Sequence, residues 1–197
     1  VSSGNARFAF NDDQVIDNKN NTGAPFVPTT GNFDTGRVTP LFSDREGLGL
    51  ELNVSESYEV DVVDVTDGDT ADVQFNNSEG TVDTVRIVGI DTPETGNTEE
   101  RLEEYEGIDD GPALKIKGDD ATAYAQSQLS GKTVTLSFDE TEGLRGNFGR
   151  LLGFLELPDG SVYNEEVIRD GFARVYDSGF AGHDEYWDLE DEARAND

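Results

Sequence analysis

The sequence predicts a mainly β fold with added α-helices: a five-stranded barrel preceded by an irregular extension. Three observations predict it. From Tyr58 onward, short apolar segments alternate with turn signals, as strands and hairpins do. One helix-length segment interrupts them after the third strand, and two more helical segments close the chain. The 197 residues are enough for one domain with a real core plus an extension.

The elements follow in order. Residues 1–55 are rich in Asn, Asp, Thr, Gly and Pro, as in "NDDQVIDNKNNTGAPFVPTTGNFDTG". They read as loops with a few short apolar pieces, an extension packed on or flanking the main domain, residues 56–197. "YEVDVVDV" alternates as a strand, "TDGDT" turns, "ADVQF" is a second strand, "NNSEG" a hairpin turn and "TVDTVRIVGI" a third strand. A polar stretch runs to about Gly118. "DDATAYAQSQLSG" then reads as a helix, with acids at its N-terminus and Gly131 as its stop. "KTVTLSF" puts Val134, Leu136 and Phe138 on one strand face. "FGRLLGFLEL" is the fifth strand, closed by the turn "PDG". "SVYNEEVIRDG" and "HDEYWDLEDEARAND" are the last two helices. Three strands, a helix, two strands and two helices is the order of an OB-type barrel.

Composition narrows the chemistry. Forty-three acids against 14 bases give a net charge of −29. Such a balance suits disorder or a surface adapted to molar salt. The alternating apolar segments favour salt adaptation, since at about 1 M salt the screening length is only ~3 Å and self-repulsion fades. There is no cysteine, which excludes disulfides and thiolate metal sites. The single histidine, His183, leaves little material for zinc or for a Ser-His nucleophile. A metal here would be a hard cation held by oxygens. No apolar run approaches the ~20 residues of a membrane span.

Three short segments carry charge where a plain turn needs none. In "DGDT", Asp67 and Asp69 bracket a tight turn. In "VRIVGIDTPET", Arg86 sits in a strand, and Asp91 and Glu94 follow around a proline. In "FGR", Arg150 follows Gly149, where a missing side chain lets a phosphate come close. Each alone suits a turn or a solvated charge. Taken together, a three-strand meander can bring the start of strand two and the end of strand three to one rim. Asp69 and Asp91 could there share a calcium ion, with Glu94 near a water beside it. Arg86 and Arg150 supply planar guanidinium donors that match a phosphate. One difficulty is geometric. Strict alternation puts Arg86 and Asp91 on opposite strand faces, so a bulge or the break at Thr92-Pro93 must re-aim one of them.

"DGDT", "VRIVGIDTPET" and "FGR", in this order and at these spacings, resemble the motifs of the thermonuclease, or staphylococcal-nuclease-like, family. So do "VYNEEVIRDGFARV" and "EARA", and the likeness runs from about Tyr58 to the C-terminus. The resemblance implies an OB-fold, calcium dependence and hydrolysis of phosphodiester bonds in DNA and RNA. Carried over by position, Asp69 and Asp91 are calcium carboxylates and Thr92 offers its backbone carbonyl. Asp67 lies in the outer shell. Glu94 is the proposed general base, and Arg86 and Arg150 clamp the phosphate.

Departures are also visible. "RGNFGR" has Phe148 where relatives carry a tyrosine and Asn147 where a base is common, with Arg145 available to compensate as a substrate contact. "LEEYEGIDDGPALKIK" is longer than the usual link. Tyr176 either stacks on a nucleotide or caps the barrel. The net charge opposes nucleic-acid binding at low salt. The expected substrate is therefore weakly bound and single-stranded, its bases free to stack. A monomer is expected, outside the cell or on its surface, in a halophilic archaeal organism. A non-catalytic OB module or a calcium-binding surface domain are the other readings.

Overall fold

A computed structural model describes residues 51–77, 79–96, 102–105, 108 and 110–196. The expected extension lies almost wholly outside them. The described chain forms strands β1 (Tyr58–Asp67), β2 (Thr70–Phe75), β3 (Val82–Ile87) and β4 (Ile90–Asp91), then helix α1 (Gly111–Leu129). Strands β5 (Thr133–Ser137) and β6 (Leu151–Glu156), helix α2 (Tyr163–Arg169), strand β7 (Arg174–Val175) and helix α3 (His183–Ala195) follow. Five strands close a barrel in the order β1-β2-β3-β6-β5, and β4 pairs with β7 as a separate two-stranded sheet. This is the expected five-stranded OB-type barrel with three helices.

Alternation builds the barrel interior. Val60 and Val62 of β1, Val73 of β2, Val85 and Ile87 of β3, Leu136 of β5 and Leu151 and Leu155 of β6 are all buried. In β1 the alternation slips by one. A register shift against β2 between Val62 and Asp64 leaves Val63 outside and returns Val65 to the core. β1 pairs with β2 from Val60 to Asp67 and with β5 from Tyr58 to Asp61. The parallel pairing of β3 with β6 completes the closure. Among the described residues no helix is long and apolar enough to cross a membrane.

Helix α1 differs from the expectation. It begins at Gly111, not Asp119. Asp110 is its N-cap, accepting from the Ala113 N–H at 2.7 Å, and Pro112 stands in the first turn, where its missing N–H is harmless. Asp119 and Asp120 are therefore interior and solvent-facing. Gly118 reads as a breaker only in isolation. With Leu114, Ala121, Ala125 and Leu129 it lies on the buried face, at helical spacing. A Cβ at Gly118 would stand 2.6 Å from the carbonyl oxygen of Pro93 and 2.7 Å from that of Glu94. The glycine lets the 93–94 backbone lie directly on the helix.

Helix α2 ties the barrel's turns together. Asn164 is fully buried. Its amide donates to the Val88 carbonyl at 2.8 Å, and its oxygen accepts from the Leu155 N–H at 3.1 Å. The Tyr163 hydroxyl donates to the Gly68 carbonyl at 2.7 Å. One helix end thus anchors the β1–β2 turn, the turn after β3 and strand β6.

Candidate active site

The turn after β3 resolves the alternation difficulty. The break falls at Val88-Gly89, not at Thr92-Pro93 and not at a bulge. β3 ends with Ile87 pointing inward, and Gly89 takes φ +79°, a left-handed conformation costly for other residues. The chain then restarts as β4, paired with β7 rather than with β2. The odd count from Arg86 to Asp91 no longer sets their faces, and the two side chains meet.

They meet in a continuous network on the barrel rim. Arg86 Nη1 lies 2.6 Å from Asp69 Oδ1, and Arg86 Nη2 lies 3.3 Å from Asp91 Oδ1. One guanidinium thus bridges the two carboxylates that the sequence singled out. Asp69 Oδ2 accepts from the Thr92 N–H at 3.0 Å and from the Thr92 hydroxyl at 3.2 Å. Thr92 is buried and joins the two acidic turns through these donors. Asp67 accepts the Asp69 N–H at 3.1 Å, so it folds the turn that carries Asp69.

Arg150 reaches the cluster from the other side. Its Nη1 makes a long 3.4 Å contact with the Thr70 hydroxyl, which donates to Asp69 Oδ1 at 3.1 Å. The Phe148 ring, 87 % exposed, lies 5.8 Å from the Arg150 guanidinium. Arg145 is engaged elsewhere. It donates to Asp83 Oδ1 at 3.2 Å and to the Gly149 carbonyl at 2.7 Å, closing the loop that presents Arg150. Tyr176 follows β7 with its side chain exposed and its N–H bonded to the Gly89 carbonyl at 3.0 Å. Glu94 is half-buried, two residues past the anchored Thr92, with its backbone against Gly118.

Electrostatics single out Asp69. Burial pushes its carboxyl up from the ordinary 3.8 to about 6; Arg86 pulls it down, and Asp67 and Asp91 push it up further.

Sequence reasoning missed three partners. Arg174 donates to Asp91 Oδ2 through Nε at 3.0 Å and Nη2 at 2.8 Å. The Tyr105 hydroxyl donates to the same oxygen at 2.9 Å. Asn164 holds the turn just ahead of Asp91. Arg174 and Asn164 both lie in the segment "VYNEEVIRDGFARV", whose likeness to the family marked the stretch without assigning either residue a role.

The closed OB-type barrel thus carries acids and arginines interleaved on one rim. The chain belongs to the family of staphylococcal nuclease homologues, whose sequence profile matches residues 84–197. It is 34 % identical to an uncharacterised protein of Methanocaldococcus jannaschii over 152 residues, 74 % of this chain and 72 % of that one. It is 34 % identical over 120 residues to the SPbeta prophage-derived endonuclease YokF of Bacillus subtilis, covering 58 % of this chain and 35 % of that protein. To the thermonuclease of Staphylococcus hyicus it is 28 % identical over 130 residues, 66 % of this chain and 65 % of the relative. The chain thus spans only part of the length of each of these two named nucleases.

The close packing at Gly118 yields a test of how the rim is held. Gly to Ala in a helix ordinarily stabilises by about 1 kcal/mol. Here Gly118→Ala is expected to lower the melting temperature, because the added methyl meets two backbone carbonyls that have no rotamer to move. A raised melting temperature would show that the 93–94 backbone does not depend on this contact.

Proposed function

We propose that this chain is a calcium-dependent nuclease that hydrolyses phosphodiester bonds of DNA and RNA at high salt. The observation that carries the reading is the convergence of Asp69 Oδ1 and Asp91 Oδ1 on the Arg86 guanidinium. Oxygen donors, with no thiolate or imidazole in the rim network, fit a hard cation. Among the described residues no group of three or more acidic or histidine side chains gathers as a complete metal shell. Asp69 and Asp91 are therefore the two protein carboxylates that would hold the ion, with the Thr92 carbonyl, solvent and substrate oxygens supplying the rest. When bound, such an ion neutralises phosphate charge and acidifies a coordinated water.

The chain's own residues account for the other requirements. Arg86 and Arg150 offer charge and paired N–H donors to the equatorial oxygens of a pentacoordinate phosphorane. Glu94, whose backbone packs on α1 beside Pro93, would accept the proton of the attacking water. The surface charge of −29 suits molar salt, where repulsion of the substrate is screened. Counterion release is then weak too, so binding rests on short contacts and favours a flexible single strand. An extracellular or cell-surface location in a halophilic organism agrees with the supply of calcium and with the hazard of a nuclease to its own genome.

The experiment is cleavage of single-stranded DNA in molar salt, with calcium, with magnesium and with a chelator, for the native protein and Glu94→Gln. Calcium-dependent cleavage lost in the variant is expected. Cleavage that survives the chelator would overturn the metal assignment, and no cleavage in any condition would favour a binding module. The pH dependence adds a sign. Asp69 must be ionised to bind the ion, and its raised folded value puts that ionisation near pH 6. Calcium affinity is therefore expected to fall as pH drops through about 6. The metal-free fold should show the opposite trend at this residue. A raised carboxyl contributes stability that is fully present below 3.8 and is lost as pH rises through about 6. Comparing melting curves of the native protein with Asp69→Asn isolates that contribution.

A further inference from the structure

The long link ahead of α1 supplies two residues that the catalytic reading leaves unused, Glu104 and Tyr105. Tyr105 converges with Arg174 on one oxygen of Asp91, and Glu104 accepts from Arg174. Asp91 and Arg174 are directly opposed residues of the β4–β7 ladder, so their side chains share one face. Asp91 Oδ2 receives three donors, Arg174 Nε, Arg174 Nη2 and the Tyr105 hydroxyl, all within 3.0 Å. Asp91 Oδ1 is turned the other way, toward Arg86.

Arg174 is itself fixed. Its Nη2 also donates to Glu104 Oε2 at 2.7 Å, and its guanidinium lies 5.0 Å from the centre of the Tyr105 ring. Behind it, Glu190 of α3 accepts the Val175 N–H at 2.6 Å and holds β7 in place. Burial, and then the neighbouring Asp91 charge, raise the Tyr105 phenol above its usual range, so it remains a donor across the working pH.

We propose that Arg174 and Tyr105 are positioning residues that grip Asp91 Oδ2 and so present Oδ1 alone to the cation. Asp91 is then a one-oxygen ligand, its orientation set by Tyr105 from the segment ahead of α1 and by Arg174 from β7. The inference rests on the reading of Asp69 and Asp91 as cation ligands. Its chemistry is that of outer-shell partners on a ligating carboxylate, whose loss weakens metal binding about 10- to 100-fold.

The test is calorimetric titration of metal-free protein with calcium for the native chain, Tyr105→Phe, Arg174→Lys and Arg174→Gln, with melting curves alongside. Tyr105→Phe removes one donor and keeps the ring. It is expected to weaken calcium binding several-fold with little change in melting temperature. Arg174→Gln is expected to weaken it by about 10- to 100-fold. Arg174→Lys should recover only part, because an ammonium cannot reproduce the paired Nε and Nη2 donation. In Tyr105→Phe, raising calcium should restore most of kcat, which it will not do for Glu94→Gln. Calcium isotherms unchanged in Tyr105→Phe and Arg174→Gln, with the native protein binding calcium, overturn this inference alone. No calcium binding by the native protein overturns the parent reading and this one with it.

Discussion

Arg86→Ala is expected to bind calcium more tightly than the native protein and to cleave about 10²- to 10³-fold more slowly. The two effects separate because Arg86 has two employments. Its guanidinium holds the same pair of oxygens, Asp69 Oδ1 and Asp91 Oδ1, that would take the ion. Removing it removes a competitor and a repelling positive charge together, so calcium affinity rises. The same change leaves the largely buried Asp69 without its guanidinium, facing an Asp91 that keeps Arg174. Breaking such a pair costs about 3–5 kcal/mol, so the metal-free variant should melt well below the native protein. Calcium should restore much of that loss. Turnover still falls, because the donor that would meet charge growing on the phosphate is gone. Calorimetry, melting curves with and without calcium, and steady-state kinetics read the three consequences separately. Calcium affinity that falls in step with turnover would sink the assignment.

Arg150 provides the internal contrast. It touches the carboxylates only through the Thr70 hydroxyl, by a 3.4 Å contact. Its removal has little to change in the metal-free fold or in calcium binding. If Arg150 acts on the transition state, as proposed, Arg150→Ala is expected to lower kcat with KM nearly constant. A net charge of −29 gives both arginines more weight than they would have on a basic nuclease surface. The long-range field opposes the substrate, and the attraction has to be generated within a hydrogen bond's reach of the phosphate.

What the sequence made legible follows the range of the interactions. Strands were readable because their faces alternate locally, and the slip in β1 at Val62 to Asp64 was not, because a partner strand imposes it. Asp67, Asp69, Arg86, Asp91 and Glu94 were readable because they lie in two short segments that one hairpin brings together. The brace on Asp91 was not. Tyr105 is 14 residues from it and Arg174 is 83, and neither has a local pattern that points back. Gly118 misled for a related reason. Its local meaning is a helix stop, and its tertiary meaning is a place for the Pro93 and Glu94 carbonyls. Asn164 sits 76 residues from the Val88 carbonyl that it holds, and nothing local points to that partner.

That asparagine carries the second large expected effect. Asn164→Ala is expected to destabilise the fold by about 3–5 kcal/mol and to weaken calcium binding as well. The side chain is fully buried and bonds two backbone groups that have no solvent to turn to, the Val88 carbonyl and the Leu155 N–H. Alanine leaves both unpaired and opens a small void among Leu155, Val88 and the barrel wall. Asn164→Asp separates the roles. It can still accept from Leu155, but it sets a carboxylate against the Val88 carbonyl, so its loss should be as large and should grow with pH. The functional consequence follows from position. Val88 begins the turn that re-aims the chain between Arg86 and Asp91, and Asp91 stands three residues beyond it. A loosened turn lets Asp91 drift from Asp69, and a two-carboxylate site tolerates little drift. Urea unfolding measures the stability, and calcium titration below the unfolding threshold measures the site. A variant with a lowered midpoint and an unchanged calcium affinity would show that the β4–β7 ladder alone fixes Asp91.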